Sequence, residues 1–145
     1  MANNISKPKV SLEAAYTQAI YEVFIDSTTL TLQVNQASAA LNQYLHHYQK
    51  STWALITADN PYSQLLSDAE NHQRHRQLLA VVEPLRLPTF DAVGRDRTGH
   101  WKPEKSLCIF GISQIKAIEL GSYFNQNAIL YGELESPAQL LWLHS

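Results

Sequence analysis

An α+β fold is predicted for this 145-residue chain by three observations. Segments with helical spacing are interspersed with short β-branched and aromatic runs. One run, Thr29-Leu30-Thr31-Leu32-Gln33-Val34, alternates cleanly, as a strand with one wet face does. The runs beginning at Trp53, Ser106 and Asn127 are instead continuously apolar, as strands covered on both faces are. The expected architecture is a single domain with a mixed sheet of about six or seven strands and three to four helices packed on it. A chain of this length buries roughly two-thirds of its unfolded surface and needs no staples.

Residues 1–10 contain Pro8 and few large apolar groups, so they read as a mobile N-terminal tail ahead of one domain over 11–145. Ser11 caps a first helix through Ala19. Tyr21–Ile25 and Thr29–Val34, separated by Asp26-Ser27-Thr28, form a hairpin. Asn35 caps a helix over Gln36–Tyr48, in which Ala37, Ala40, Leu41, Tyr44, Leu45 and Tyr48 recur at helical spacing. The strand Trp53–Ala58 runs into the turn Asp59-Asn60-Pro61, where Asn60 is expected to cap. Ser67-Asp68-Ala69-Glu70 is a capping box that opens a helix to about Glu83, stopped by Pro84. Its core-facing stripe is read as Asn71, Arg74, Leu78 and Val81.

Strands follow at Thr89–Gly94 and Ser106–Gly111, then a short helix capped by Ser113, then the strand Asn127–Tyr131. That strand, helix, strand order predicts a crossover and locally parallel pairing. Gln139–Leu143 supplies an edge strand.

Composition bounds the function. The longest unbroken apolar run, Leu78–Val82, is far too short for a membrane span, and the first residues lack the apolar core of a signal peptide, so a cytoplasmic protein is expected. The single cysteine, Cys108, lies in an apolar strand and reads as an inert core thiol. The net charge of −2 and the mixed charges between Arg86 and Lys105 argue against nucleic-acid binding. His72 and His75 have ligand-compatible spacing, but nothing completes a set, so no metal and no cofactor are expected.

Polar groups near strand ends and helix starts give the candidate site. Thr57, Asn60 and Ser63 flank the turn, where free backbone N–H groups would suit a phosphate or carboxylate. Asn71 and Arg74 continue the helix's inward stripe and need partners. Glu104, at the mouth of a strand, is the candidate catalytic acid or base, and Gln126 precedes an apolar strand with donors and an acceptor to offer. Amides and hydroxyls dominate this set and no activated nucleophile accompanies them. A binding or interaction module recognising a small polar or anionic ligand, or a protein partner, is therefore expected. The alternative is a small metal-independent enzyme using Glu104 as general acid/base, with Arg74 and the turn N–H groups stabilising an anion.

Ile56-Thr57-Ala58-Asp59-Asn60-Pro61-Tyr62-Ser63, then Asn71, Arg74 and Leu78, then Gly94 to Gly99, Trp101, Glu104 and Ser106, then Phe124-Asn125-Gln126-Asn127-Ala128, resemble bacterial proteins catalogued as domain of unknown function three-two-nine-three. The resemblance runs in order from about Tyr16 to Trp142. It implies no activity, cofactor or partner, but it marks Thr57, Ala58, Asn60, Pro61, Asn71, Glu104, Gln126 and Ala128. Asn125 stands where that family more often has glycine. If the position needs φ > 0, asparagine is the next best residue.

Overall fold

Two-residue alternation builds a curled sheet of seven strands, β1 (Ile20–Ile25), β2 (Thr28–Leu32), β3 (Thr52–Thr57), β4 (Thr89–Arg95), β5 (Glu104–Phe110), β6 (Ala128–Glu133) and β7 (Gln139–Trp142). A computed structural model describes residues 12–99 and 101–143. The expected tail over 1–10 and the Ser11 cap lie outside these residues. Helices α1 (12–18), α2 (Ala39–His47), α3 (Asp68–Val82) and α4 (Gln114–Tyr123) complete the α+β domain.

The strand order is β2-β1-β4-β5-β3-β6-β7, and each of the pairings in it is antiparallel. The expected mixed sheet is thus corrected. The chain does cross from β5 through α4 to β6, but β3 inserts between those two strands and pairs antiparallel with both. The crossover therefore yields two strands that run the same way without touching. As expected, β3 and β5 are central, with β6 beside them.

The β1–β2 hairpin turns through Asp26 and Ser27, both at positive φ (48° and 65°), as a two-residue turn matching the strand twist requires. Leu30, Leu32 and Val34 are buried while Thr29 and Thr31 are exposed, as their alternation demands. Helix α2 begins later than Asn35 would have it. Asn35 takes positive φ (67°) and its N–H bonds the Ala138 carbonyl at 2.8 Å, while Ser38 caps the helix by accepting from Leu41 N at 3.1 Å. That Asn35–Ala138 contact joins the two edges of the curled sheet. Ser67 and Glu70 form the full capping box of α3. On that helix the buried stripe is His75, Leu78 and Val82, and Val81 points outward.

Pleating sends alternate side chains to two cores. The concave core contains Val23, Ile25, Leu55, Cys108, Phe110 and Leu130, and α2 covers one end of it with Leu41 and Leu45. Tyr48 of α2's end packs edge-on against Phe90 and Phe110, with centroids 5.2 and 5.8 Å away. The convex core places Ala54, Ile56, Leu107 and Ile109 against α3 and α4. Gly121 lets α4 lie close to the sheet, since a Cβ there would sit 2.7 Å from Ile129 Cγ2. Cys108 is fully buried, and burial pushes its thiol far above the usual range. Among the described residues, no helix is long and apolar enough to cross a membrane.

Gly132 faces Trp53 across β6 and β3, and a Cβ at Gly132 would meet Trp53 Cε2 at 2.6 Å. Because Trp53 is fully buried, the indole has nowhere to retreat. Gly132→Ala should cost about 1–3 kcal/mol by overpacking, lowering the melting temperature by roughly 3–10 °C. Thermal denaturation checks this, and an unchanged melting temperature would contradict the packing.

Candidate functional site

The end of the concave face that α2 leaves uncovered holds a cavity of about 780 Å³. Leu55 and Leu130 floor it, Leu12, Ala15 and Tyr16 of α1 lie over it, and Trp101 and Leu66 stand at its sides. The polar part of that lining is the turn after β3 and the start of β5, where most polar groups are held by one another.

The turn is strapped to β5 first. Thr57 Oγ1 donates to the Lys105 carbonyl at 2.6 Å and accepts from Asp59 N at 3.1 Å. Asp59 Oδ2 accepts from Lys105 N at 3.1 Å, and Asp59 is buried. Asn60 then takes the left-handed conformation (φ 48°, ψ 67°), which asparagine tolerates better than most residues. It makes no side-chain cap to the following 3-10 turn, contrary to expectation. Instead its Oδ1 accepts from Asn71 Nδ2 at 2.9 Å and Leu66 N at 3.0 Å, its N–H donates to Asn71 Oδ1 at 2.9 Å, and its Nδ2 donates to Glu104 Oε2 at 2.7 Å. Two donors converging on Oδ1 fix the amide orientation, so Nδ2 must face the carboxyl.

Glu104 is the first residue of β5 and lines the cavity. Burial raises its pKa to about 7, the Asn60 hydrogen bond opposes the rise, and the nearby Asp59 charge adds to it. Asp59 is raised to about 6, again chiefly by burial, against the pull of the Lys105 N–H and of the Lys105 and Arg74 charges. Its Oδ1 is buried without a hydrogen-bond partner among the described residues. Two carboxyl groups with elevated proton affinity therefore line one cavity. Tyr16 and Tyr21 are also raised, first by burial and then by neighbouring charge, so neither is an activated phenol.

Six of the seven expected site residues, Thr57, Asn60, Ser63, Asn71, Glu104 and Gln126, line the cavity. Gln126 is buried and spends its Nε2 on the carbonyls of Asp59 (3.0 Å) and Phe124 (3.3 Å). Ser63 Oγ accepts from Asn127 Nδ2 at 2.9 Å and lies 3.3 Å from the Tyr16 hydroxyl. Arg74 stands apart from the lining. Its Nε donates to the Ala58 carbonyl at 2.6 Å and its Nη2 to the Phe124 carbonyl, with the guanidinium over the Phe124 ring. It clamps the β3 turn to the end of α4, which removes it from the role of anion stabiliser.

The backbone of the turn is similarly occupied. The N–H groups of Asp59, Asn60, Tyr62, Ser63, Gln64 and Leu66 each donate within the protein, so they are not free for an anionic ligand. His72 is exposed whereas His75 is buried, and no group of three or more His, Cys, Asp or Glu among the described residues is arranged to hold a metal. Asp59, Tyr16, Tyr21 and Asn127 were not identified from the sequence as members. Asp59 had a signal: the apolar run of β3 continues to Ala58, so a carboxylate directly after it begins life at the buried end of a central strand.

No curated protein and no solved structure matches the chain. A sequence model of the family described as "Protein of unknown function (DUF3293)" matches residues 56–129, a span that holds Thr57, Asn60, Asn71, Glu104 and Gln126 and covers half of the chain. Asn125, where that resemblance raised the question of glycine, has φ 59°, so asparagine serves the left-handed turn. With its strand-end turn, Glu104 and the Gln126 stretch all inside the matched span, the chain belongs to the DUF3293 family.

Proposed function

We propose that the chain is a binding module for a small molecule with an apolar body and a polar head, taken up in the cavity with the head at Glu104. The observation that carries this reading is the cavity itself: about 780 Å³, floored by aliphatic side chains, with one half-buried carboxyl held in place by a single donor, Asn60. Pockets of this size and lining, with a few fixed polar groups, suit small ligands. A protein partner would more naturally meet a flat patch, and an anionic ligand would face Asp59 and Glu104 rather than free N–H groups. We also infer a cytoplasmic location, which the single cysteine, free and buried, supports.

A second reading, an enzyme, draws support from one specific property. A carboxyl with a pKa of about 7 exchanges protons readily near neutrality, which suits a general acid or base. In that reading Glu104 moves the proton, Asn60 Nδ2 holds its Oε2 and thereby aims the other oxygen, and the apolar walls exclude water. Arg74 has no part in it.

Capture tests the pocket. Wild-type protein incubated with lysate metabolites should retain a small molecule by mass spectrometry, and Ala15→Trp on the roof and Ala128→Phe at the wall should each lose it while remaining folded. Retention by both filled variants would reject the cavity as the site. For the enzyme reading, turnover of a retained compound should vanish in Glu104→Gln and, in wild type, should show an inflection near pH 7.

Stability should depend on pH with a definite sign. Glu104 binds its proton more tightly folded than unfolded, so its contribution is complete below the unfolded pKa near 4.5 and is lost as pH rises through about 7. Asp59 acts in the same direction between 3.8 and about 6. Glu104→Gln keeps an acceptor for Asn60 and removes the charge, so at pH above 7 it should be more stable than wild type, by on the order of 2 kcal/mol. Its stability curve should also be flatter across that window. Chemical denaturation at several pH values checks this, and a less stable variant at high pH would show that Glu104 is favourably paired as an anion. Asn60→Ala, by stranding Asn71 and Leu66 N, should cost about 2–4 kcal/mol at any pH.

A further inference from the structure

We propose that the ligand of this cavity is a primary amine bound as its ammonium ion, carried on an apolar or aromatic body, with the ammonium seated at the carboxyl group of Glu104, beside Asp59. This names the ligand class for the pocket and rests on the pocket reading above.

The inference starts from an imbalance. Asp59, Asp68 and Glu104 line the same cavity together with His72, Lys102 and Lys105, and among the described residues no cationic side chain hydrogen-bonds the Asp59 or Glu104 carboxyl. Arg74 is committed to two carbonyls outside the lining. The Lys102 ammonium pairs with Asp68 at 3.4 Å on the exposed rim. Lys105 gives Asp59 its backbone N–H, and its exposed side chain acts on Asp59 through space without bonding the carboxyl. Asp59 meanwhile is 7% exposed and keeps Oδ1 without a partner, and Glu104 receives only the Asn60 amide among the described residues.

A carboxyl so placed either stays neutral or meets a cation, because an isolated buried charge is costly. The donor that fits is compact and multivalent. An ammonium brings three N–H groups to Glu104, whose Oε1 has no hydrogen-bond partner among the described residues, in a setting of low dielectric where the bonds are charge-assisted. The surroundings agree with that choice. Tyr16, Tyr21 and Trp101 contribute rings to the lining, which favour a cation over their faces. Leu55, Leu130 and Leu140 offer aliphatic surface to the remainder of the molecule.

The test uses the full chain and three probes of one shape, phenethylamine, phenethyl alcohol and phenylacetate, titrated at neutral pH by calorimetry. The amine should bind roughly tenfold or more tightly than the alcohol, and phenylacetate more weakly than either. Glu104→Gln and Asp59→Asn should each bring the amine-to-alcohol ratio toward one, and using both keeps the test decisive if either variant misfolds. Equal or tighter binding of the alcohol or of phenylacetate overturns the ammonium proposal and leaves the pocket standing. So does a metabolite retained by wild type and lost from the filled variants when the amine does not bind. Binding of none of the probes, together with no retained metabolite, overturns both. An amine preference that survives in both carboxyl variants also overturns the proposal.

Discussion

The site depends on one residue held in an uncommon backbone conformation. Asn60 sits in the left-handed region, and that geometry turns its side chain back across the loop so that one amide reaches α3, β5 and the loop at Leu66. Oδ1 takes an N–H from Leu66 and from Asn71 of α3, and Nδ2 reaches Glu104 at the head of β5. Tyr62 and Ser63 also have positive φ, so the loop concentrates backbone strain beside the cavity. The surrounding structure pays for that strain through the Thr57 and Asp59 bonds to Lys105 and through the Arg74 clamp below.

Fixing Glu104 from a single direction has an electrostatic consequence. The same arrangement that orients the carboxyl supplies too little hydrogen bonding to offset its loss of water, and Asp59 next to it makes ionisation harder still. Its proton affinity is therefore set by the curl of the sheet and the roof of α1, which exclude solvent, more than by any one neighbour. A flatter sheet, or one whose edges did not meet at Asn35 and Ala138, would leave the same residue as an ordinary surface acid.

Two helices share the concave face unequally, and this division creates the cavity. Helix α2 fills its end with leucines and the Tyr48, Phe90 and Phe110 rings, whereas α1 presents Ala15 and Tyr16 over the other end and leaves space. On the convex face, Gly121 lets α4 settle onto β6.

Most elements were legible in the sequence because their causes are local. The capping box at Ser67, the Ser113 cap and the two-residue alternation through Leu30 act within a few residues, and each element formed where those signals placed it. Polar residues at strand ends likewise marked Thr57, Asn60, Ser63, Asn71, Glu104 and Gln126 as a group. What was not legible depends on partners distant in the chain. Asn60 looked like a helix cap because Asn-Pro commonly is one, but its amide is claimed by Asn71 and by Glu104, 44 residues away. Arg74 looked like a site cation until two carbonyls took its guanidinium. The parallel pairing expected across α4 failed because β3, formed much earlier, occupies the place between β5 and β6. Local propensity determined which segments are helices and strands; only the tertiary structure decided which strands are neighbours, which polar groups are spent on the backbone, and which carboxyls are left facing an empty space.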